Sequence, residues 1–307
     1  MQKLNIAFFT EAGSLRGMGH LVRSYTIASY FKKYCDIEFF LDSDFHYEQF
    51  KNIQYFKWDS LNISTHYDII FIDSYIATLD IYEYLKTYCK QLVCIDDYGR
   101  LSYPKSIIIN FAPQANKYFK HIDDNYLLGL KYLPIRKELQ NIKPKKENYI
   151  FIMLGGNDIK NQSFEILKTL DNTDMKKYIV INNKTKLLQA KKYKNCEILY
   201  KPTPKKLYQT MANSTIAITT ASMSVYELAY LKIPTIIFSV APNQDGGIEQ
   251  FIKYKLSYKS IDINKQNWQK QLFNILNKKI TFKIPNLIDK NGTKRIYQKT
   301  IRGLNEN

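Results

Sequence analysis

Short apolar runs alternate along the first half of the chain with segments whose apolar positions recur at helical spacing. Residues 4–9 form such a run and predict a buried strand, and residues 21–31 follow it with helical periodicity. The same pattern predicts strands at 36–41, 53–56, 68–72, 92–95 and 106–109, and a helix at 79–88. Strands that alternate with helices predict a parallel, doubly wound α/β sheet.

The alternation begins again after the lysine-rich residues 137–148, which contain Pro144 and predict a linker. The second half is predicted to hold strands at 149–154, 178–181, 197–200, 215–219 and 235–238, and helices from about 159, at 204–212 and at 222–231. We therefore expect an N-terminal Rossmann-like domain over residues 1–140 and a C-terminal one over 148–307. The basic residues 289–303 are expected to form a last helix that can fold back on the first domain.

A glycine-rich loop, residues 10–20, joins the first predicted strand to the first predicted helix. Gly17 and Gly19 allow positive φ angles or a close approach to a ligand, and the loop ends in His20. His20 is a candidate general base, because the amides at a helix start favour a neutral imidazole. The alternative is an ordinary turn whose histidine caps or packs. The glycine spacing satisfies neither the dinucleotide fingerprint nor the P-loop.

Polar residues follow several of the predicted strands in the first half, where a parallel sheet binds its ligands. The residues expected on this edge are His20, Asp73, Tyr75, Asp96, Asp97 and Asn110. Because adjacent residues of an extended chain point to opposite faces, only one of the two neighbouring aspartates should face a ligand, while the other holds a loop or caps a helix. Tyr75 either hydrogen-bonds a substrate oxygen or water, or simply lies over the sheet edge.

The second half offers candidate anion-binding turns at the ends of three predicted strands. Glycine and serine amides at helix starts suit phosphate, a glutamate suits ribose hydroxyls, and an Asn-Gln pair suits a sugar or pyrophosphate. These residues are Gly155, Gly156, Ser222, Met223, Ser224, Glu227, Asn243 and Gln244. The alternative for each is ordinary helix capping. Their expected position on one edge favours a nucleotide site.

Composition excludes several classes of protein. The 307 residues include 45% hydrophobic residues, which indicates a globular chain and not a disordered one. The four cysteines form no Cys-x-x-Cys pair and the four histidines lack metal spacing, so we expect reduced thiols and no metal. No apolar run is long enough to span a membrane, and no signal peptide is evident, so we expect a cytoplasmic protein without an integral membrane segment.

The net charge of +17 is carried mainly by lysine. Such a charge attracts nucleic acid, an anionic membrane surface or an anionic small molecule. The lysines are spread along the chain, and no arginine-rich block, RNP-like motif or zinc finger accompanies them. The pattern therefore favours an anionic small substrate over nucleic acid, although a basic binding module without enzymatic activity stays open as an alternative.

The ordered set of motifs resembles the UDP-sugar hydrolases of pseudaminic acid biosynthesis (the PseG family), which are relatives of the MurG-type glycosyltransferases. The motifs that carry the resemblance are Gly17-Met18-Gly19-His20, Asp73-Ser74-Tyr75, Ile95-Asp96-Asp97, Gly129-x-x-Tyr132-x-Pro134-Ile135-Arg136-x-Glu138, residues 155–161, Ser224-x-x-Glu227 and Asn243-Gln244. They extend over roughly residues 4–250. The resemblance implies a GT-B fold, in which two Rossmann-like domains flank a cleft.

The resemblance also implies an activity: metal-free, inverting hydrolysis of UDP-2,4-diacetamido-2,4,6-trideoxy-β-L-altropyranose without a cofactor. We also expect the protein to be a monomer. His20 would activate water and Tyr75 would place it, with Gly17, Gly19 and Asp73 beside the sugar. The residues of the second half would bind UDP and the sugar. The chain departs from the family at Asn110-Phe111-Ala112 and before Glu227, where glycines are lacking. A GT-B glycosyltransferase therefore stays open as the alternative.

Overall fold

The computed structural model describes residues 3–14, 16–48, 50–155, 162–171, 173–239 and 245–305. Contacts between residues divide the chain into two compact units. The first unit comprises Met1–Ile135 and Asp289–Asn307, and the second comprises Arg136–Ile288. Each unit is an α/β unit built on its own parallel sheet, as the alternation of strands and helices predicts.

The sheet of the first unit has seven strands in the order β3-β2-β1-β4-β5-β6-β7, and every pair is parallel. Its strands are β1 Asn5–Glu11, β2 Asp36–Asp42, β3 Ile53–Phe56, β4 Tyr67–Asp73, β5 Cys89–Ile95, β6 Ile107–Asn110 and β7 Tyr126–Leu128. The strand order reverses between β1 and β4. In doubly wound sheets, the carboxyl ends of the strands at such a reversal form the usual ligand site.

Three longer helices cover the first sheet: α1 Gly19–Phe31, α2 Leu79–Thr87 and α10 Gly292–Asn305. The basic C-terminal helix α10 packs on α1, β5 and the short turn Leu130–Tyr132. The approach to that turn is close: a Cβ atom added at Gly292 would lie 2.0 Å from the carbonyl oxygen of Leu133. At the other end of α10, Gln91 donates a hydrogen bond to the carbonyl of Thr300 (3.0 Å).

The second unit repeats the arrangement with six strands in the order β10-β9-β8-β11-β12-β13. They are β8 Tyr149–Met153, β9 Lys176–Ile181, β10 Cys196–Tyr200, β11 Ile216–Thr220, β12 Thr235–Ser239 and β13 Lys259–Asp262. Its helices are α3 Lys137–Gln140, α4 Gln162–Leu170, α5 Lys184–Ala190, α6 Pro204–Asn213, α7 Met223–Tyr230, α8 Asp245–Lys253 and α9 Trp268–Leu276. The order reverses between β8 and β11, so the second ligand position follows those two strands.

The residues expected to form a linker are largely integrated in the second unit. α3 packs on α6. Farther along, Lys145 and Lys146 hydrogen-bond the C-terminal end of α6 through Asn213 Oδ1 (2.9 Å) and the Ala212 carbonyl (3.1 Å). The polar composition of this segment indicated a linker, whereas its backbone and lysine groups are used to cap a helix.

Candidate active site

His20 and Asp73 meet at the strand reversal of the first sheet. α1 starts at Gly19, which places His20 in the first helical turn, and Asp73 ends β4 beside Thr10 of β1. His20 Nδ1 lies 2.6 Å from Asp73 Oδ1, and both side chains are buried. An ionised carboxylate only accepts hydrogen bonds, so Nδ1 carries the proton and donates it to Asp73. The lone pair of the imidazole is then on Nε2, which has no hydrogen-bond partner among the described residues.

Arg23 holds the ionised form of Asp73. It follows His20 by one helical turn, and its Nε and Nη2 atoms donate to Asp73 Oδ2 and Oδ1 at 2.8 and 2.7 Å. Ser24 Oγ also donates to Asp73 Oδ2 (2.8 Å). Burial by itself would raise the pKa of Asp73. The positive charge of Arg23, the neighbouring His20 ring and the hydrogen bonds that both residues donate outweigh the effect of burial, and they hold this pKa well below its usual range.

The same arginine reaches a second carboxylate. Arg23 Nη1 lies 2.8 Å from both oxygens of Asp97, in the turn after β5. Burial would lower the pKa of Arg23, but the charges of Asp73 and Asp97 raise it well above its usual value. The aspartates that follow β5 therefore separate as expected. Asp97 faces the His20 site, whereas Asp96 accepts hydrogen bonds from the amides of Tyr98, Gly99 and Arg100 and holds the turn.

Tyr75 covers His20. The two rings are edge to face with centroids 4.3 Å apart, and the phenol donates a hydrogen bond to Asp97 Oδ2. Partial burial and the charge of Asp97 raise the pKa of Tyr75, which keeps the phenol protonated. Because its proton is donated to Asp97, the lone pairs of the phenol oxygen remain able to accept a hydrogen bond from water or substrate.

A buried glutamate fixes the backbone that carries Tyr75. Glu11, at the end of β1, accepts hydrogen bonds from the Tyr75 amide (3.0 Å), the Ser74 hydroxyl and Trp58 Nε1 (3.2 Å). Arg100 donates to the carbonyl of Ala77 (2.8 Å) from the other side. The turn after β4 is thereby held by two charged groups, and neither was singled out from the sequence.

Two residues of the expected edge are buried and bonded to other groups of the protein. Asp73 was expected to contact substrate, but it is 1% exposed and its oxygens are occupied by His20, Arg23 and Ser24. Its place is behind His20, which it orients. Asn110 is fully buried, and its Oδ1 accepts a hydrogen bond from the Ala112 amide. It ends β6, which lies two strands beyond β4 in the sheet.

The glycine-rich loop makes a tight turn just before α1. Gly17 has φ +70°, a conformation that favours glycine, and it pairs with Gly13 through two backbone hydrogen bonds. Gly19 starts α1. On the side of β2, the loop borders a cavity of about 550 Å³. Its lining residues are Arg16, Asp42, Lys57, Trp58, Asp59, Ile76, Thr78 and Ile81.

In the second unit, the predicted nucleotide-binding residues that the structure describes lie at or just after the strands of the other reversal. Gly155 follows β8 with φ +69°, and Ser222 precedes α7, whose first residues are Met223 and Ser224. The Ser222 hydroxyl donates to the Thr220 carbonyl (3.3 Å) and does not cap α7. Gly156, Asn243 and Gln244 lie outside the described residues.

Glu227, one turn into α7, is largely buried and sits between two partners. Its Oε1 accepts a hydrogen bond from the Tyr208 hydroxyl (3.1 Å) and lies 3.7 Å from Arg136 Nε. The Arg136 guanidinium stacks over the Tyr208 ring at 5.5 Å. Burial raises the pKa of Glu227, and Arg136 opposes that rise. Arg136 belongs to a motif of the resemblance, but the sequence did not indicate that it meets Glu227.

Neither a metal cluster nor a membrane helix is found in the part of the chain that the structure describes. No three His, Cys, Asp or Glu residues there are grouped to hold a metal ion. None of the described helices combines the length and apolarity needed to cross a bilayer.

Sequence comparison gives a distant relative. No protein-family model matches the chain. A Helicobacter pylori protein named pseudaminic acid cytidylyltransferase and UDP-2,4-diacetamido-2,4,6-trideoxy-β-L-altropyranose hydrolase is 28% identical over 184 residues. The match covers 58% of this chain and 35% of the relative, so the chain spans only about a third of that protein.

Solved structures share the fold over nearly the whole chain. Methanocaldococcus jannaschii UDP-GlcNAc 2-epimerase, in complex with UDP-GlcNAc and UDP, aligns with a TM-score of 0.65 and 14% identity over 98% of this chain and 100% of its own. Acinetobacter baumannii MurG aligns with a TM-score of 0.66 and 13% identity over 97% of this chain and 99% of its own. The chain therefore has the GT-B fold, as predicted from its sequence.

Proposed function

We propose that the chain hydrolyses a UDP-sugar, UDP-2,4-diacetamido-2,4,6-trideoxy-β-L-altropyranose, to UDP and the free sugar. The observation that carries the proposal is the His20–Asp73 pair at the strand reversal. Nδ1 donates to the carboxylate, and the lone pair on Nε2 is available to accept a proton. A histidine held in this tautomer by an aspartate is equipped to take a proton from water.

In the proposed reaction, the oxygen of water forms a bond to the anomeric carbon while the bond from that carbon to the UDP oxygen breaks. His20 Nε2 takes the proton of the attacking water, and UDP leaves with the electron pair, so the anomeric configuration inverts. Asp73 stabilises the imidazolium that forms. Tyr75, fixed by Asp97, accepts a hydrogen bond from the water and thereby orients it. Gly17 and Gly19 leave room for the sugar.

The nucleotide is assigned to the second unit. The backbone amides at the start of α7, together with those of Gly155 and Gly156, are donors for pyrophosphate, and the hydroxyls of residues 222 and 224 add to them. Glu227 would accept hydrogen bonds from ribose, and Asn243 and Gln244 would bind pyrophosphate and sugar. The net charge of +17 favours the release of UDP, which gains a negative charge as the bond to the sugar breaks, without a metal.

The cavity beside Arg16 suits the substituents of such a sugar. It joins apolar surface from Trp58, Ile76 and Ile81 to polar groups, which is the mixture that an acetamido group presents. The name of the Helicobacter pylori relative includes the same hydrolase activity, and this supports the choice of substrate.

A GT-B glycosyltransferase is the second candidate. The fold that the chain shares with MurG favours it. The same groups would then transfer the sugar to an acceptor hydroxyl, with His20 taking the proton of the acceptor instead of that of water.

Release of UDP in the absence of any acceptor separates the two candidates. We expect UDP release from the altropyranose substrate with EDTA present, and a loss of at least about 100-fold in His20→Gln. UDP release that requires an added acceptor would favour the transferase. Full activity of His20→Gln would contradict both proposed roles of this histidine.

A further inference from the structure

We propose that Arg23 and Asp97 are positioning residues which, together with Asp73, form a charge-balanced clamp that orients His20 and sets the pH at which it takes up a proton. The inference deepens the proposed function, since it concerns the group that would act as base. It rests on the geometry of one buried arginine that joins two carboxylates and contacts the histidine.

The first element of the clamp is the direct approach of Arg23 to the imidazole. Arg23 Nη2 lies 3.1 Å from His20 Nδ1. Because Nδ1 already donates its proton to Asp73, this short contact cannot be a hydrogen bond to a lone pair. It places a positive charge against the ring, where it disfavours the imidazolium. Arg23 is 5% exposed, so water screens little of this repulsion.

The second element is the carboxylate that balances this charge. Asp97 binds Arg23 Nη1 through both oxygens and also accepts the hydrogen bond of Tyr75. With a neutral His20, the clamp of Arg23, Asp73 and Asp97 has one positive and two negative charges, a net charge of −1. Protonation of His20 makes the cluster neutral. The proton that the proposed reaction delivers to His20 therefore leaves this buried cluster without net charge.

The charged groups at the end of β1, in the turn after β5 and in the glycine-rich loop have partners of their own. Glu11 is bonded to the Tyr75 amide and to Trp58, Asp96 holds the turn after β5, and Arg16 pairs with Asp42. Tyr75 stays protonated. Arg23 and Asp97 are thus the two charges whose removal changes the electrostatic balance at the imidazole without removing its direct hydrogen-bond partner.

The clamp predicts opposite effects for two substitutions. Arg23→Gln leaves Asp73 and Asp97 uncompensated, so the titration midpoint of His20 should rise by about 1–3 pH units. Asp97→Asn removes the charge that balances Arg23, so the midpoint should fall by about 0.5–1 unit. The double variant should lie between the two single variants. A merely structural role would lower activity in both variants without moving the midpoints in opposite directions.

The test is an NMR titration of histidine-labelled protein, in which the His20 signal is assigned by its loss in His20→Gln. It needs no substrate. Asp68→Asn is the matched control for Asp97→Asn, because Asp68 binds Lys90 (2.7 Å) at the opposite end of β4. Lys90→Gln is the control for Arg23→Gln. Both controls should leave the midpoint of His20 within about 0.2 units, since their charges lie roughly 16 Å away along the strand.

A midpoint that rises or stays unchanged in Asp97→Asn would overturn the inference, and this variant decides the question if Arg23→Gln does not fold. Asp97 has a partly exposed side chain, and asparagine retains an oxygen for Arg23. The acidic limb of the kcat/KM profile should move with the NMR midpoint. If the NMR midpoints move as expected but the limb does not follow, the clamp stands and the proposed role of His20 as base is wrong.

Discussion

Replacement of Asp73 by asparagine tests the link between the buried pair and catalysis most sharply among single substitutions. In the wild type, the carboxylate accepts the Nδ1 proton at 2.6 Å. In Asp73→Asn, the amide either presents its NH2 group to Nδ1 or turns its oxygen there. The first arrangement stabilises the tautomer with the proton on Nε2, which cannot take a proton from water. The second loses the negative charge that stabilises the imidazolium.

The expected loss in kcat/KM is on the order of 10³–10⁴, which corresponds to about 4–5 kcal/mol of transition-state stabilisation. Part of any loss could come from unfolding, because Arg23 and Ser24 also bind Asp73. Loss of a partner from a buried ion pair costs up to about 3–5 kcal/mol of the free energy of unfolding. The assay is therefore single-turnover UDP release at a temperature at which circular dichroism shows the variant folded.

The pH dependence of stability identifies the charge as the cause. The pKa of Asp73 in the folded chain lies well below its unfolded value. Its contribution to stability is therefore present above about pH 4 and is lost as the pH falls towards the folded pKa. The difference in Tm between wild type and Asp73→Asn should shrink as the pH is lowered below about 4. A folded Asp73→Asn that retains more than about a tenth of the wild-type kcat/KM would refute the reasoning.

Three further substitutions probe separate parts of the structure. Tyr75→Phe keeps the ring against His20 but loses the hydrogen bond to Asp97. We expect about a tenfold fall in kcat with little change in Tm, and an unchanged kcat would contradict the role of Tyr75 in placing water. Glu227→Gln should raise the Kd for UDP, measured by calorimetry, by about tenfold while leaving kcat within about threefold; an unchanged Kd would exclude Glu227 from the ribose site. Gly292→Ala forces a Cβ against the Leu133 carbonyl; we expect at least about 2 kcal/mol lower stability in chemical denaturation, and wild-type stability would refute this close approach of α10.

The hydrophobic pattern predicted the two sheets because their strands are short, almost wholly apolar runs that end in polar residues. β13 was missed since Lys259–Asp262 carries too few apolar residues to form such a run. Consecutive parallel strands are usually neighbours joined by right-handed crossovers, which limits the possible strand orders. Ligands of such sheets bind where the strand order reverses, so the position of the site could be expected as well.

The side-chain partners could be predicted only in part. His20 was recognisable because it stands at a strand-to-helix turn, and the polar ends of β4 and β5 indicated Asp73 and Asp97. The roles of Asp73 and Asp97 depend on their contacts with Arg23, which precedes them in the chain by 50 and 74 positions. The only indication of this arginine in the sequence was its spacing: Arg23 follows His20 by three positions and therefore lies on the same face of the predicted helix.

The most direct test of the central claim is the fate of the oxygen of water. The altropyranose substrate is incubated with wild-type protein in oxygen-18 water, and both products are analysed by mass spectrometry. His20 as a base that activates water for attack on the anomeric carbon predicts no label in UDP and one labelled oxygen in the free sugar, when the reaction is quenched before the anomeric oxygen exchanges with water. The rate of label incorporation should be at least about 100-fold lower in His20→Gln. Label in UDP would place the attack at phosphorus and contradict the account, as would full incorporation into the sugar by His20→Gln.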